Sequence, residues 1–307
     1  LVLFTSLAVA SETKEISIPL TLSNTQGAAS KIPAILVSVL LLAATAAIWY
    51  FGGRALYAEY VFSQAISAIT QNNAAKTYDL MRKAITLDPY VDRYHAAYSQ
   101  INIAVAQSIS KKAGITDSDR ATVTQLVQQA IREGKSTVVL NPQRAGNWEL
   151  LGKIYQIIMP FAKGADQFAI QTYAQAVNLD PINPSLRISL GGVYYALGRY
   201  DEAIDTFKFA VLAKSDFANA HYNLAIAYRE KGEVDKAITE MNTVLSLVKK
   251  ETADYQLAQT ELENLKKKLP AKTASATENL TPPQKAQPPA IKPPLELPSE
   301  ATPPAAP

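Results

Sequence analysis

The sequence predicts an all-α chain: a transmembrane helix, then a solenoid of stacked helical hairpins, then a disordered proline-rich tail. Three observations carry this prediction. Ile32 to Phe51 is a run of 20 residues without a charge. Downstream, residue types recur at a spacing of 34, with Leu190 answered by Leu224. Finally, 11 of the 18 prolines lie from Pro270 onward, so the C-terminal composition differs from the rest.

Composition removes several function classes. The net charge is +3, and no dense basic cluster interleaves with aromatics, so nucleic acid is not an expected partner. With no cysteine and two histidines, His95 and His221, the chain offers no thiolate nucleophile and no metal-ligand set. No cofactor and no metal are expected, and no catalytic constellation is present.

The chain opens on LVLFTSLAVA, too short an apolar segment to span a bilayer alone. It reads either as the end of an upstream transmembrane helix or as the end of a signal peptide, with Ala8-Val9-Ala10 as the cleavage site. Both readings place further sequence upstream. Residues 11–31 form a polar loop. The run IPAILVSVLLLAATAAIWYF follows. At 1.5 Å per residue it reaches about 30 Å, the thickness of the hydrocarbon core. Trp49, Tyr50 and Phe51 sit together at its end, as in an interfacial aromatic belt. A transmembrane helix is therefore expected over 32–53. Lys14 and Lys31 precede it and Arg54 follows, a bias that leans toward an extracytoplasmic position for the downstream region.

From residue 54 the pattern becomes amphipathic. Three segments end alike: KAITLDP (83–89), TVVLNP (137–142) and QAVNLDP (175–181). Each places small and aliphatic residues on one face, then stops the helix with Asp-Pro or Asn-Pro. The upstream halves also align: NWELLGKIY (147–155), RISLGGVYY (187–195) and HYNLAIAYR (221–229). Leucine recurs at Leu151, Leu190 and Leu224, a small residue follows at Gly152, Gly191 and Ala225, and tyrosine follows at Tyr155, Tyr194 and Tyr228. The second halves GRYDEAIDTFKFAV (198–211) and GEVDKAITEMNTVL (232–245) are again 34 apart.

These residues resemble the tetratricopeptide repeat family. Trp148, Leu151-Gly152, Tyr155, Ala169, Tyr173, Ala176 and Pro181 follow its pattern in one repeat, and Leu190-Gly191, Tyr194, Gly198, Ala203, Phe207 and Ala210 in the next. The resemblance implies an array over 54–251, with repeats near 58–91, 92–144, 145–183, 184–217 and 218–251. Arg187 and His221 stand where the family places a bulky residue, and 58–91 lacks the Leu-Gly-Tyr half. GITDSDRATV (114–123) supplies a helix stop at Gly114 and N-cap candidates Thr116, Asp117 and Ser118. Residues 252–270 read as a polar capping helix ending in three lysines. The tail, 271–307, is too poor in large apolar residues to offset the entropy of ordering.

Within the stretch LGGVYYALGRYDEAIDTFKFAV, Gly191-Gly192 follow no strand and match no phosphate-binding loop. Asp201, Glu202 and Asp205 fall at a helix start, where carboxylates favour the positive end of the dipole. The stretch therefore reads as scaffold. The family resemblance implies a concave groove lined by the first helix of each repeat. Carried over position by position, its residues here are Glu149, Lys153, Gln156, Ser185, Ser189, Tyr195, Asn219, Tyr222, Asn223 and Arg229. That mix suits an extended peptide. The lysine of the clamp by which some members hold a C-terminal carboxylate is replaced by Ile188 and Tyr222.

The expected function is a membrane-anchored scaffold in a bacterial inner membrane, binding a partner protein or peptide in the groove. The alternative is the C-terminal repeat domain of a polytopic envelope glycosyltransferase, related to O-antigen ligases or polymerases, with its catalytic part upstream.

Overall fold

The computed structural model describes residues 32–71 and 73–268. The polar loop, the opening apolar segment and the proline-rich tail expected from the sequence lie outside the described residues. Within them the chain is all helical, with eleven helices and no strand. In order these are α1 (Ile32–Thr70), α2 (Ala74–Leu87), α3 (Asp92–Ser110), α4 (Asp117–Leu140), α5 (Ala145–Ile158), α6 (Ala165–Leu179), α7 (Pro184–Ala196), α8 (Tyr200–Ala213), α9 (Ala218–Lys231), α10 (Val234–Leu247) and α11 (Ala253–Lys268).

α1 is a single helix of 39 residues, about 58 Å long at the usual rise. Its N-terminal half is fully exposed from Ile35 to Phe51, and a window of the helix is apolar and long enough to cross a membrane. Its C-terminal half is different. Ala58, Val61, Ala65 and Ala68 are buried against α2 and α3, with Ala84, Met81, Tyr94 and Tyr98. One helix therefore serves both as the apolar rod and as the first helix of the first hairpin. The expected division at 53/54 falls inside it. Gly52 and Gly53 do not break the helix, because the packed alanine side of the next three turns fixes its direction.

The remaining helices pair as hairpins, α3 with α4, α5 with α6, α7 with α8 and α9 with α10, and each hairpin stacks on the next. α3 also touches α5, and α7 touches α9, so the first helices of these hairpins lie on one side of the stack, its inner layer. α11 packs on α10 and closes the stack through Ala258, Leu262 and Leu265.

The repeat residues read from the sequence are the packing residues. Gly191 lies under the Phe207 ring so closely that a Cβ there would come within 2.5 Å of it, and Gly152 lies similarly under Tyr173. These are the points where the two helices of a hairpin touch. Each inner-to-outer turn from α3 onward carries a left-handed glycine, Gly114, Gly164, Gly198 and Gly232, with φ between 71° and 83°. The outer helices α2, α4 and α6 end at Leu87, Leu140 and Leu179, directly before Asp-Pro or Asn-Pro. Local caps set several starts. Thr116 accepts from the Asp119 amide while the Asp119 carboxylate accepts from the Thr116 amide, a reciprocal box at the start of α4. Those bonds from Thr116 hold the Asp119 carboxyl below its ordinary range. Asn183 caps α7, which begins with Pro184.

Candidate partner-binding groove

The inner layer exposes side chains from α5, α7 and α9, and they gather into two groups. The first surrounds Tyr173. Its ring is buried against Gly152, and its hydroxyl donates to Gln156 Oε1 at 2.9 Å. Ser189 of α7 and the Glu149 carboxylate lie near the same hydroxyl. Burial first, then the Glu149 charge, push the Tyr173 hydroxyl pKa upward, so it remains a neutral donor. Glu149, Gln156 and Ser189 thereby gather around a residue of the outer helix α6.

The second group surrounds Arg229 on α9. Its guanidinium donates to Glu261 of α11 at 2.8 Å and to its neighbour Glu230 at 2.6 Å. Burial works against its charge, and the two carboxylates more than offset that, raising its pKa. Tyr195 and Tyr222 lie alongside. Burial raises both hydroxyls, with Glu230 acting on Tyr195 and Glu261 on Tyr222, and Arg229 opposing in each case. Tyr195 also meets the Tyr200 ring at 5.6 Å between centroids. Arg229, carried over as a groove residue, is thus committed to tying α9 to the terminal helix. Asn223 turns inward on its own helix, donating to the Asn219 backbone and side chain. Lys153, Ser185 and Asn219 are exposed.

Asn219 and Tyr222 also border a cleft of about 270 Å³ between α9, α10 and α11. Its other walls are Ala218, Val244, Val248, Asp254 and Leu257. The cleft has an apolar floor with one carboxylate and one amide at the rim. Position-by-position reading of α9 alone did not reveal it, because half of its lining comes from α10 and α11.

A second recurrent feature lies at the turns between hairpins. His95 Nε2 lies 2.9 Å from the Pro89 carbonyl, Trp148 Nε1 donates to Pro142 at 2.8 Å, Arg187 Nη2 to Pro181 at 2.8 Å, and His221 Nε2 lies 2.9 Å from Ser215. In every case the carbonyl is six residues upstream. Each histidine also places Nδ1 2.6 Å from a carboxylate of its outer helix, Glu133 or Glu240. The family's bulky position is therefore filled here by four N–H donors of three chemical kinds that fasten the preceding turn. Neighbouring hairpins are further joined by Asp92, which accepts from Asn147 at 2.9 Å and Arg144 at 3.3 Å. Burial alone would raise its pKa, but these two bonds outweigh it and lower it.

Two family models match this part of the chain. One, described as TPR repeat, covers residues 191–232, and the other, described as tetratricopeptide repeat, covers 218–250. The chain carries tetratricopeptide repeats. The matched region spans α7 to α10, the hairpins that carry Tyr195, Tyr222 and Arg229. A curated relative, a TPR repeat-containing thioredoxin from Arabidopsis thaliana, is 34% identical over 77 residues, 25% of this chain. The aligned part is 11% of that relative's length. Among solved structures, a MamA protein aligns with 63% of this chain and 93% of its own at 20% identity and a TM-score of 0.49. A thermophilic TPR protein of Thermus thermophilus aligns with 68% and 98% at 17% identity and a TM-score of 0.47. The matched residues 191–250 are thus of a repeat type whose broad class is protein-interaction scaffold.

Proposed function

We propose that the chain is a membrane-anchored scaffold whose inner layer holds an extended segment of a partner protein. The observation that carries the reading is the cleft beside Asn219 and Tyr222. It is an apolar space of about 270 Å³ opening beside exposed amide and tyrosine groups, at the end of the inner layer. Such a site takes one large apolar side chain, while the exposed Asn219 and Lys153 can bond a peptide backbone or its charges. The apolar half of α1 supports the anchor, being exposed along a length that matches a bilayer. The reading places the repeats on the extracytoplasmic side of a bacterial inner membrane, and the support for that side is the two lysines, Lys14 and Lys31, before the helix against Arg54 after it.

The test uses the full chain in detergent or nanodiscs with a randomised display library of extended peptides. Replacing Tyr195, Asn219 and Leu257 by alanine should weaken selected peptides by at least about 10-fold, the loss of roughly 1.4 kcal/mol or more. Replacing the exposed Phe209 and Leu212 of α8 should leave binding unchanged. The reverse pattern sinks the groove assignment. Arg229 is left intact because its loss would also break the ion pair that ties α9 to Glu261 of α11.

A further inference from the structure

The first hairpin brings its tip back to the level of the aromatic belt on α1. α2 runs antiparallel to α1 after a short turn, and its last carbonyls are caught by Arg54. The guanidinium donates to Leu87 O at 2.6 Å and to Thr86 O at 2.8 Å. Arg54 lies three residues, roughly 4.5 Å, beyond Phe51. The turn that follows, Asp88-Pro89-Tyr90, borders one cleft of about 410 Å³ with Phe51, Arg54 and Ala55. Tyr90 is 82% exposed, and its amide is fixed by the Asp88 carboxylate at 3.3 Å. Tyr57 of α1 is exposed as well, and Lys83 reaches from α2 to its hydroxyl at 2.8 Å.

We propose that the Asp88-Pro89-Tyr90 tip is a second membrane contact, seated in the lipid headgroup layer beside the end of α1. The inference rests on the reading of α1 as a span. With Phe51 at the hydrocarbon edge, any group level with Phe51 and Arg54 lies in the headgroup layer, which adds roughly 5–8 Å on each side of the core. Tyrosine, tryptophan and lysine are the side chains that this layer takes up, because each has an apolar body and a polar end. The exposed Tyr90 ring stands beside Phe51 at the end of the apolar rod, so a bilayer that covers the rod up to Phe51 reaches the tip. Two attachment points, the span and the tip, fix the rotation of the first hairpin about the axis of α1.

The chain has no cysteine, so a single introduced cysteine carries one nitroxide label. The full chain is reconstituted in phosphatidylcholine nanodiscs with the label at Trp49→Cys, Tyr90→Cys or Ala113→Cys. Ala113 is the exposed control, at the far end of α3 and about 28 Å from the tip. Collision with oxygen, which concentrates in lipid, is compared with collision with a water-soluble nickel chelate. The expected result is a several-fold higher oxygen-to-nickel ratio at 90 than at 113, approaching the ratio at 49. A ratio at 90 equal to that at 113, with 49 still lipid-exposed, overturns the proposal and leaves the span standing. Water-like ratios at all three positions overturn the span itself, and the tip contact with it.

Discussion

Arg187 and His221 occupy a position that the family reserves for bulk, and both do more than fill space. Together with His95 and Trp148 they each offer an N–H to the carbonyl six residues earlier. Trp148→Phe keeps the bulk and removes the donor, so it should cost about 1 kcal/mol in chemical denaturation. His95 adds a dependence on pH. Burial alone would lower its pKa, but the Glu133 carboxylate, the Pro89 carbonyl and Asp92 outweigh that and raise it. Both ring nitrogens face acceptors, an arrangement only the imidazolium satisfies. The stabilisation is thus fully present below the ordinary histidine pKa of about 6.5 and lost as pH rises through the higher folded value. Thermal unfolding followed from pH 5.5 to 8.5 should show this loss in the wild type and a flatter profile in Glu133→Gln. Gly191→Ala should destabilise by about 1–3 kcal/mol, because the Phe207 ring must move, despite the better helix propensity of alanine.

At the scale of the element, α4 starts at Thr116 because the Thr116–Asp119 box satisfies its first amides. Thr116→Ala should cost about 0.5–2 kcal/mol and speed hydrogen exchange in the first turn of α4. This start was legible, since Thr116 stands just after the glycine stop and ahead of an acidic turn. So were the helix ends before Asp-Pro and Asn-Pro, where chain geometry itself forbids continuation. The continuity of α1 was not. The expected division at 53/54 falls within one helix, and only Ala58, Val61 and Ala65, packed against distant residues of α2 and α3, show why the helix continues. The turn-fastening donors were hidden for a different reason. Histidine, tryptophan and arginine share no residue class, so alignment by size and polarity sees disagreement where hydrogen bonding is the same. In the groove, α9 was readable by its own periodicity, but the partners of Arg229 and the walls of the cleft come from α10 and α11.

Over the whole molecule, each hairpin buries its surface mainly on its neighbours, so stability is roughly a sum of local interfaces and its ends matter. α11 supplies the last interface through Ala258, Leu262 and Leu265, and Glu261 fastens it to Arg229. A chain ended after residue 250 should expose the α10 face, unfold with a lower denaturant dependence and associate with itself, as read by urea titration and light scattering. The repeat spacing showed this architecture because every hairpin solves the same packing problem, with Leu190 and Leu224, Phe207 and Met241, or Ala203 and Ala237 in matching places.

With α1 spanning a bilayer as proposed, its unbroken length also makes the protein a lever. A straight rod of about 58 Å inclined by about 20°, an ordinary tilt for a membrane helix, carries its far end sideways by roughly 20 Å. The groove then faces wherever the bilayer points it. A thicker membrane, which lets the rod stand upright, would turn the open side of the stack relative to the lipid plane. The thickness of the surrounding lipid thus becomes a setting for which partners can be reached.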